Sequence, residues 1–170
     1  MESYIALLRA VNVGGTGKMP MADLKAICQE LGFERVQTYL ASGNVVFRSG
    51  LSEDEVKTVL NARLLAYAGK PVITLIRTAG EMADVVRRNP FAEQAGNRTA
   101  ALFVDEPLAA DILDHVVGQK SEKLMLGVRE IFIFYGEGMA DSRLRIRGAE
   151  SGTVRNMNTV AALAKLASAP

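Results

Sequence analysis

The stretch NVGGTGKMPM, residues 12–21, decides the fold. It follows an apolar run at residues 4–8 and precedes a segment whose apolar residues repeat at helical spacing. Its glycines allow positive φ angles and let a partner approach the backbone closely. These glycines are Gly14, Gly15 and Gly17. The stretch therefore predicts a strand, then a glycine-rich loop, then the start of a helix.

The same loop is a candidate anion site. Pro20 suits the first helical position, where the free N–H groups of the first turn attract anions, and Lys18 lies beside it. The spacing is not that of a P-loop, because Asn12 and Met19 stand where glycine and Ser or Thr are needed. A dinucleotide-binding pattern begun at Gly15 breaks at Pro20. The alternative interpretation is a turn that only joins strand to helix, which is the commoner role of short glycine loops.

Length, charge and cysteine content narrow the class of protein. A chain of 170 residues forms one domain or two small subdomains. A net charge of +1 argues against a dedicated nucleic-acid or membrane-surface protein. The single cysteine excludes an internal disulfide framework. Neither a membrane-length apolar run nor a signal-peptide pattern is visible, so we expect a cytoplasmic protein without a membrane partner. No cofactor and no oligomeric state follow from these features.

The first half of the chain has the element order βαββαβ. A capping box, Ser52 with Glu55, begins its second helix, and Gly69 ends that helix. This order is typical of a ferredoxin-like unit, an antiparallel sheet with two helices on one face. The predicted fold is α+β, with a ferredoxin-like subdomain at residues 1–78 and a second, smaller α+β subdomain at residues 79–170. The strands are predicted at residues 4–9, 36–40, 44–48 and 72–76.

This topology places distant residues together. The helix between the first two strands returns the chain to its starting end, so both strands run in the same direction. The loop after the first strand and the turn at residues 41–44 then lie at one end of the sheet. We therefore expect four polar residues to be neighbours there: Asn12, Lys18, Ser42 and Asn44.

The second half contains a further series of elements. Thr78 and Glu81 form another capping box, which begins a helix that ends at Asn89-Pro90. A helix is predicted to start at Pro107 and to bury residues as far as Val116. The last segment, residues 154–167, reads as a helix with an apolar stripe. Strands are predicted at residues 99–104 and, as a pair, within residues 124–135.

Few residues are candidates for chemistry. His115 is the only histidine, and its place near the end of a predicted helix favours a structural role. Cys28 lies on an apolar helical stripe, which favours a buried position. A zinc site is not expected with so few His and Cys residues, whereas magnesium held by carboxylates leaves no spacing to detect. No nucleophile or base can be assigned, so the sequence leaves open whether the protein is an enzyme.

The C-terminal part of the chain is basic. Arg143, Arg145 and Arg147 alternate, so an extended backbone would place all three on one face. Arg155 and Asn156 follow, and arginine side chains bind phosphate oxygens in pairs. The alternative is a solvated basic loop with no ligand. Nucleic acid is disfavoured as a partner because the third strand, NVVFR, has one aromatic residue where an RNA-stacking sheet has several.

Three segments carry a resemblance to a known family: YIALLRAVNVGGTGKMPMADLKAICQELGF, VQTYLASGNVVF and GTVRNMNTVAALAKLA. They resemble the bacterial domain of unknown function 1697 family. The resemblance implies a two-part α+β fold with a ferredoxin-like half, and it implies no activity. The family's motif positions fall here on Arg9, Asn12, Gly14, Gly15, Lys18, Ser42, Gly43, Asn44, Arg155, Asn156 and Thr159.

This chain departs from the family pattern in three places. Ala10 stands where glycine is common, and Met157 stands where tryptophan is common. Arg143 stands where many members have lysine. Because arginine stays charged, it could not replace a lysine that transfers a proton.

Three functions compete. The first is binding of a small anionic, phosphate-bearing ligand at the glycine-rich loop. The second is a nucleic-acid or protein interaction module that uses the sheet or the basic C-terminal segment. The third is a purely structural role for the motif residues, in turns and caps. The first hypothesis assigns ligand contacts to Arg9, Asn12, Gly14, Gly15, Lys18, Ser42, Asn44, Arg143, Arg155 and Asn156.

Overall fold

The structure is a computed structural model that describes residues 1–12, 18–136 and 139–170. Gly14 and Gly15 lie outside the described residues. The chain divides into two units, of which the first comprises Met1–Asp84 with Ala162–Pro170 and the second comprises Val85–Ala161. The subdomain boundary placed between residues 78 and 79 from the sequence stays a prediction.

The first unit is built on a four-stranded antiparallel sheet with the order β2-β3-β1-β4. Two helices connect its strands, so that the element order is βαββαβ. This confirms the predicted α+β fold and its ferredoxin-like arrangement. The elements are β1 (Glu2–Leu8), α1 (Met21–Glu30), β2 (Glu34–Thr38), β3 (Asn44–Ser49), α2 (Glu53–Ala68) and β4 (Thr74–Thr78).

Capping residues set the helix boundaries. Ser52 and Glu55 form the predicted capping box, in which Glu55 N donates to Ser52 Oγ and Ser52 N donates to Glu55 Oε2. These hydrogen bonds hold the pKa of Glu55 below its ordinary value. Gly69 follows α2 with a φ of 72°, as expected for a glycine that ends a helix. Pro20 was expected to be the first helical residue, but it precedes α1 as its N-cap, with ψ at 137°.

Both faces of the central strands in the first unit are buried. On the helical face, Phe33 and Phe47 stack with ring centroids 4.3 Å apart, within a core to which β1, α1 and α2 contribute. On the opposite face, Ile5 is fully buried. There the C-terminal residues of the chain belong to the same unit, and Ser3 Oγ donates to Ala167 O over 2.8 Å. The sheet of this unit is therefore an interior layer.

The second unit contains a four-stranded antiparallel sheet with the order β10-β5-β8-β7 and a two-stranded ribbon of β6 and β9. The capping box of Thr78 and Glu81 is confirmed and begins α3. Both α3 and α4 contain a unit boundary. The elements are α3 (Ala79–Arg88), β5 (Thr99–Phe103), β6 (Val116–Val117), β7 (Lys123–Leu126), β8 (Glu130–Phe134), β9 (Arg145–Ile146), β10 (Thr153–Asn156) and α4 (Met157–Ser168).

The helix predicted from Pro107 is wrong. The segment forms only a 3₁₀ turn, Ile112–His115, and then enters β6. Its backbone finds partners elsewhere in the unit, since Leu108 N donates to Val128 O and β6 pairs with β9. The β-branched pair Val116–Val117 fits a strand better than the last turn of a helix. Apolar spacing alone therefore misled the prediction.

The start of the final helix was also predicted too early. Residues Thr153–Asn156 form strand β10, which pairs with β5, and α4 begins at Met157. The two β-branched residues Thr153 and Val154 favour the strand. Asn156 then caps the helix, because its Oδ1 accepts from Thr159 N over 2.9 Å.

Gly43 lies where the β2–β3 turn packs closely against the end of β1. A Cβ at this residue would lie 2.6 Å from Val11 Cγ2, and its φ is 95°. We expect Gly43→Ala to destabilise the protein by about 2–4 kcal/mol in urea unfolding, from overpacking plus left-handed strain. Gly32→Ala is the matched control, because Gly32 has a φ of 84° but no atom within 4 Å of the added Cβ. The control should lose about 1 kcal/mol. Equal losses would contradict the packing argument.

Candidate functional site

A groove of about 450 Å³ opens in the first unit where β1 ends and β4 is about to begin. Its walls come from four short segments of the chain. The end of β1 and the approach to α1 form one side, and the end of α2 and the segment before β4 form the other. The lining residues are 9–11, 18–19, 67–68 and 70–73.

The groove is electropositive. Arg9, Lys18 and Lys70 line it and are exposed to solvent. Its described lining contains no carboxylate. Within the described ranges, none of these three cations forms an ion pair with an acidic side chain. Such an arrangement leaves the positive charge available to an anion.

Asn12 fixes one wall of the groove. Its Nδ2 donates to Met19 O over 2.8 Å and to Ala41 O over 2.9 Å, while its Oδ1 accepts from Met19 N over 2.7 Å. One side-chain amide thus joins the end of β1, the approach to α1 and the β2–β3 turn. Asn12 and Met19 therefore lie close to Ala41 of the turn. The side-chain amide of Asn12 therefore stabilises the backbone of this wall.

Backbone strain is concentrated at the same place. Ala10, Asn12 and Leu40 have φ angles of 57°, 55° and 61°. Residues other than glycine rarely adopt such angles, and asparagine tolerates them better than most. At residue 10, where the family pattern often has glycine, the chain accepts a left-handed alanine beside the groove. The close packing of this turn holds the unfavourable angles in place.

Ser42 and Asn44 shape the β2–β3 turn. Asn44 is fully buried, and its Nδ2 donates to Tyr39 O and to Ser42 Oγ. The backbone continues the same link, because Leu8 N donates to Gly43 O over 2.8 Å. Of the five predicted ligand contacts described in this unit, Arg9 and Lys18 line the groove, while Asn12, Ser42 and Asn44 hold the backbone around it.

The sequence prediction did not include Tyr67 and Lys70, two residues with polar groups that line the groove. Both come from the end of α2 and the segment after it. Antiparallel pairing of β1 with β4 places Leu8 opposite Thr74, and Arg9 N donates to Ile73 O over 2.9 Å. The residues just before β4 must therefore lie beside those just after β1. The predicted strand order already implied this proximity, although it was used only to place the loops after the first and second strands.

Three further predicted contacts, Arg143, Arg155 and Asn156, belong to the second unit. Arg155 lies in β10 and is buried, with Nη1 donating to Thr153 Oγ1 and to Val154 O. Burial lowers its pKa to about 10. Asn156 caps α4, as described above. Arg143 precedes β9, Arg145 begins it and Arg147 follows it. All three are exposed, which agrees with the alternation in the sequence.

The remaining candidates for chemistry have simple surroundings. His115 is exposed and lies 3.6 Å from Asp111, one turn earlier. Cys28 is fully buried, and burial raises the pKa of its thiol to about 12. The described residues contain no group of three or more His, Cys, Asp or Glu residues arranged to hold a metal ion. Across the same ranges, no helix has both the length and the apolar content needed to cross a membrane.

Comparisons with known proteins agree on the fold. The model of a family described as a protein of unknown function, DUF1697, matches residues 1–132. A solved structure of a conserved bacterial protein from Streptococcus pneumoniae is similar to this chain, with a TM-score of 0.80 and 23% identity. The match covers 98% of each chain. At this level of identity the likeness shows a shared fold alone. No curated protein matches the chain.

Asn12 is expected to be structurally essential. Asn12→Asp keeps the acceptor for Met19 N but replaces both donated hydrogen bonds with a carboxylate facing two carbonyl oxygens. We expect a loss of about 2–3 kcal/mol in urea unfolding. Asn97→Asp is the control, because Asn97 is exposed like Asn12 but its side chain makes no hydrogen bond to another described residue. It should change stability by less than about 0.5 kcal/mol. A loss at Asn12 no larger than this would refute the role of its amide.

Cys28 is expected to be unreactive in the folded protein. A buried thiol with a raised pKa exposes almost no thiolate to a reagent. Alkylation by iodoacetamide at pH 8 should therefore follow global unfolding, and its rate should rise with urea in parallel with the unfolded fraction. Fast modification in the absence of urea, at a rate typical of an exposed thiol, would contradict this position.

Proposed function

We propose, for a chain that belongs to the DUF1697 family of proteins of unknown function, that it binds a small anionic, phosphate-bearing ligand in the groove described above. The observation that carries the proposal is the convergence of Arg9, Lys18 and Lys70 on one groove without a carboxylate in its described lining. These residues are distant in sequence, and the topology of the unit brings them together.

Electrostatics favours an anion at this site. Near a protein surface, two unit charges 4 Å apart interact by about 4 kcal/mol. Three cations facing one groove would each attract a bound phosphate, although solvent screening reduces the effect. Arg9 can offer a planar pair of donors to phosphate oxygens, and the two lysines can act as point charges. The volume of about 450 Å³ is in the range of small-molecule sites.

The start of α1 also favours the binding of an anion. Its N-cap, Pro20, makes no side-chain capping hydrogen bond, and the Pro20 carbonyl oxygen accepts from Asp23 N and Leu24 N. The positive end of the helix dipole has the same preference for an anion. Gly14 and Gly15 stay ligand contacts predicted from the sequence.

The other predicted contacts have supporting roles in this proposal. Asn12, Ser42 and Asn44 keep the backbone in place around the groove. Arg155 donates hydrogen bonds within β10, and Asn156 caps α4. The described lining contains neither a carboxylate nor a histidine, so the proposal concerns binding and assigns no reaction.

The nucleic-acid alternative is less well supported by the first unit. An RNA-binding sheet of this topology needs one exposed face with aromatic residues on it. Here the central residues Ile5, Leu7 and Val46 are buried on the face away from α1 and α2. The burial of this face favours the groove over the sheet as a binding site.

Removing two of the cations tests the proposal. We expect Lys18→Ala with Lys70→Ala to weaken binding of a phosphate ligand by at least about a hundredfold, since each charge-assisted contact contributes roughly 1.5–3 kcal/mol. The measurement is calorimetric titration with inorganic phosphate, sugar phosphates and nucleotides, with thermal unfolding to verify the fold.

The control variant is Lys25→Ala with Lys165→Ala, which removes the same charge from exposed positions outside the groove. It should keep the affinity of the wild-type protein. If both double variants bind equally well, the groove is not the anion site. If no phosphate compound binds the wild-type protein, the proposed function is wrong.

A further inference from the structure

Tyr67 gives the groove an aromatic surface. It is the one aromatic residue of α2 and lines the groove with 38% of its surface exposed. An aromatic side chain that is left this open, inside a concave site, is available to stack against a ligand.

The ring of Tyr67 is held in place from outside the groove. Its hydroxyl donates to Asp23 Oδ2 on α1 over 2.7 Å. This hydrogen bond joins the end of α2 to the start of α1 and fixes the polar edge of the ring. It also raises the pKa of Tyr67. A ring fixed in advance loses little conformational freedom when a ligand stacks on it.

The other lining residues give the groove a cationic part and an apolar part. Cationic side chains come from Arg9, Lys18 and Lys70, whereas Val72 and the 39% exposed Ile73 contribute apolar surface. A bare phosphate or a sugar phosphate would use the cations and leave the apolar and aromatic surface in water. A ligand with both an anion and a flat ring would use the whole lining.

We infer that the groove is suited to a nucleoside monophosphate, with the phosphate among the three cations and the base against the Tyr67 ring. This inference rests on the proposed function and names the class of ligand for the same site. The charge of the groove and its fixed aromatic ring are complementary to the two ends of such a molecule. Stacking on an aromatic side chain tolerates any base, so the groove by itself does not select one.

The experiment compares four probes by calorimetric titration: AMP, ribose 5-phosphate, hexyl phosphate and inorganic phosphate. AMP should bind the wild-type protein at least about tenfold more tightly than ribose 5-phosphate, because only AMP offers a base to stack. It should also bind more tightly than hexyl phosphate, which has apolar surface but no ring. Tyr67→Ala should remove the preference for AMP and leave the affinity for ribose 5-phosphate within about twofold.

Two further variants separate stacking from a general effect on α2. Tyr67→Phe keeps the ring and loses only the hydrogen bond to Asp23, so it should retain most of the preference for AMP. Leu65→Ala removes another exposed side chain from α2, outside the groove, and should bind all four probes as the wild-type protein does.

The outcomes distinguish this inference from the proposed function. If AMP and ribose 5-phosphate bind equally, or hexyl phosphate binds as tightly as AMP, the inference is overturned while anion binding stands. If Tyr67→Ala keeps the preference for AMP, the ring is not the stacking surface and the inference is also overturned. If none of the four probes binds, both proposals fail together.

Discussion

The side-chain amide of Asn12 is the constraint on which the groove depends. Its three hydrogen bonds replace the regular pairing that the backbone loses where β1 ends, and they reach both Met19 and Ala41. A shorter polar side chain could not span these partners, and a carboxylate could not donate to the two carbonyl oxygens. Asparagine also tolerates the left-handed backbone at this position. Asparagine therefore suits both the backbone angle and the hydrogen bonds at this position.

The position of the cations follows from the strand order. In the ferredoxin-like unit, β1 pairs antiparallel with both β3 and β4. The residues after β1, before β4 and between β2 and β3 must then lie at one end of the sheet. Arg9 follows β1, and Lys70 follows the helix stop at Gly69. Neither residue needs a sequence motif to reach the groove, because antiparallel pairing places both of them there.

Elements that depend on neighbouring residues were predicted correctly from the sequence, whereas elements that depend on tertiary pairing were not. Capping boxes such as Ser52 with Glu55 act within a few residues, so they located helices correctly. The segment after Pro107 has helical apolar spacing, but its backbone pairs with Val128 and β9 instead. At the site, Arg9 and Lys18 were named from the sequence. Tyr67 and Lys70 were missed because their proximity comes from strand pairing and not from a local pattern.

Burial distinguishes buried motif residues from exposed ones, a difference that the sequence does not show. Asn44 and Arg155 are buried and hydrogen-bonded to their own strands or turns, so the fold alone accounts for them. Lys70 follows the C-terminus of α2, where the helix dipole already favours a cation. Lys18 has no such explanation, because it precedes the N-terminus of α1, where the dipole disfavours positive charge. A bound anion would offset that repulsion, as the Asp23 carboxylate in the first turn of α1 already does in part.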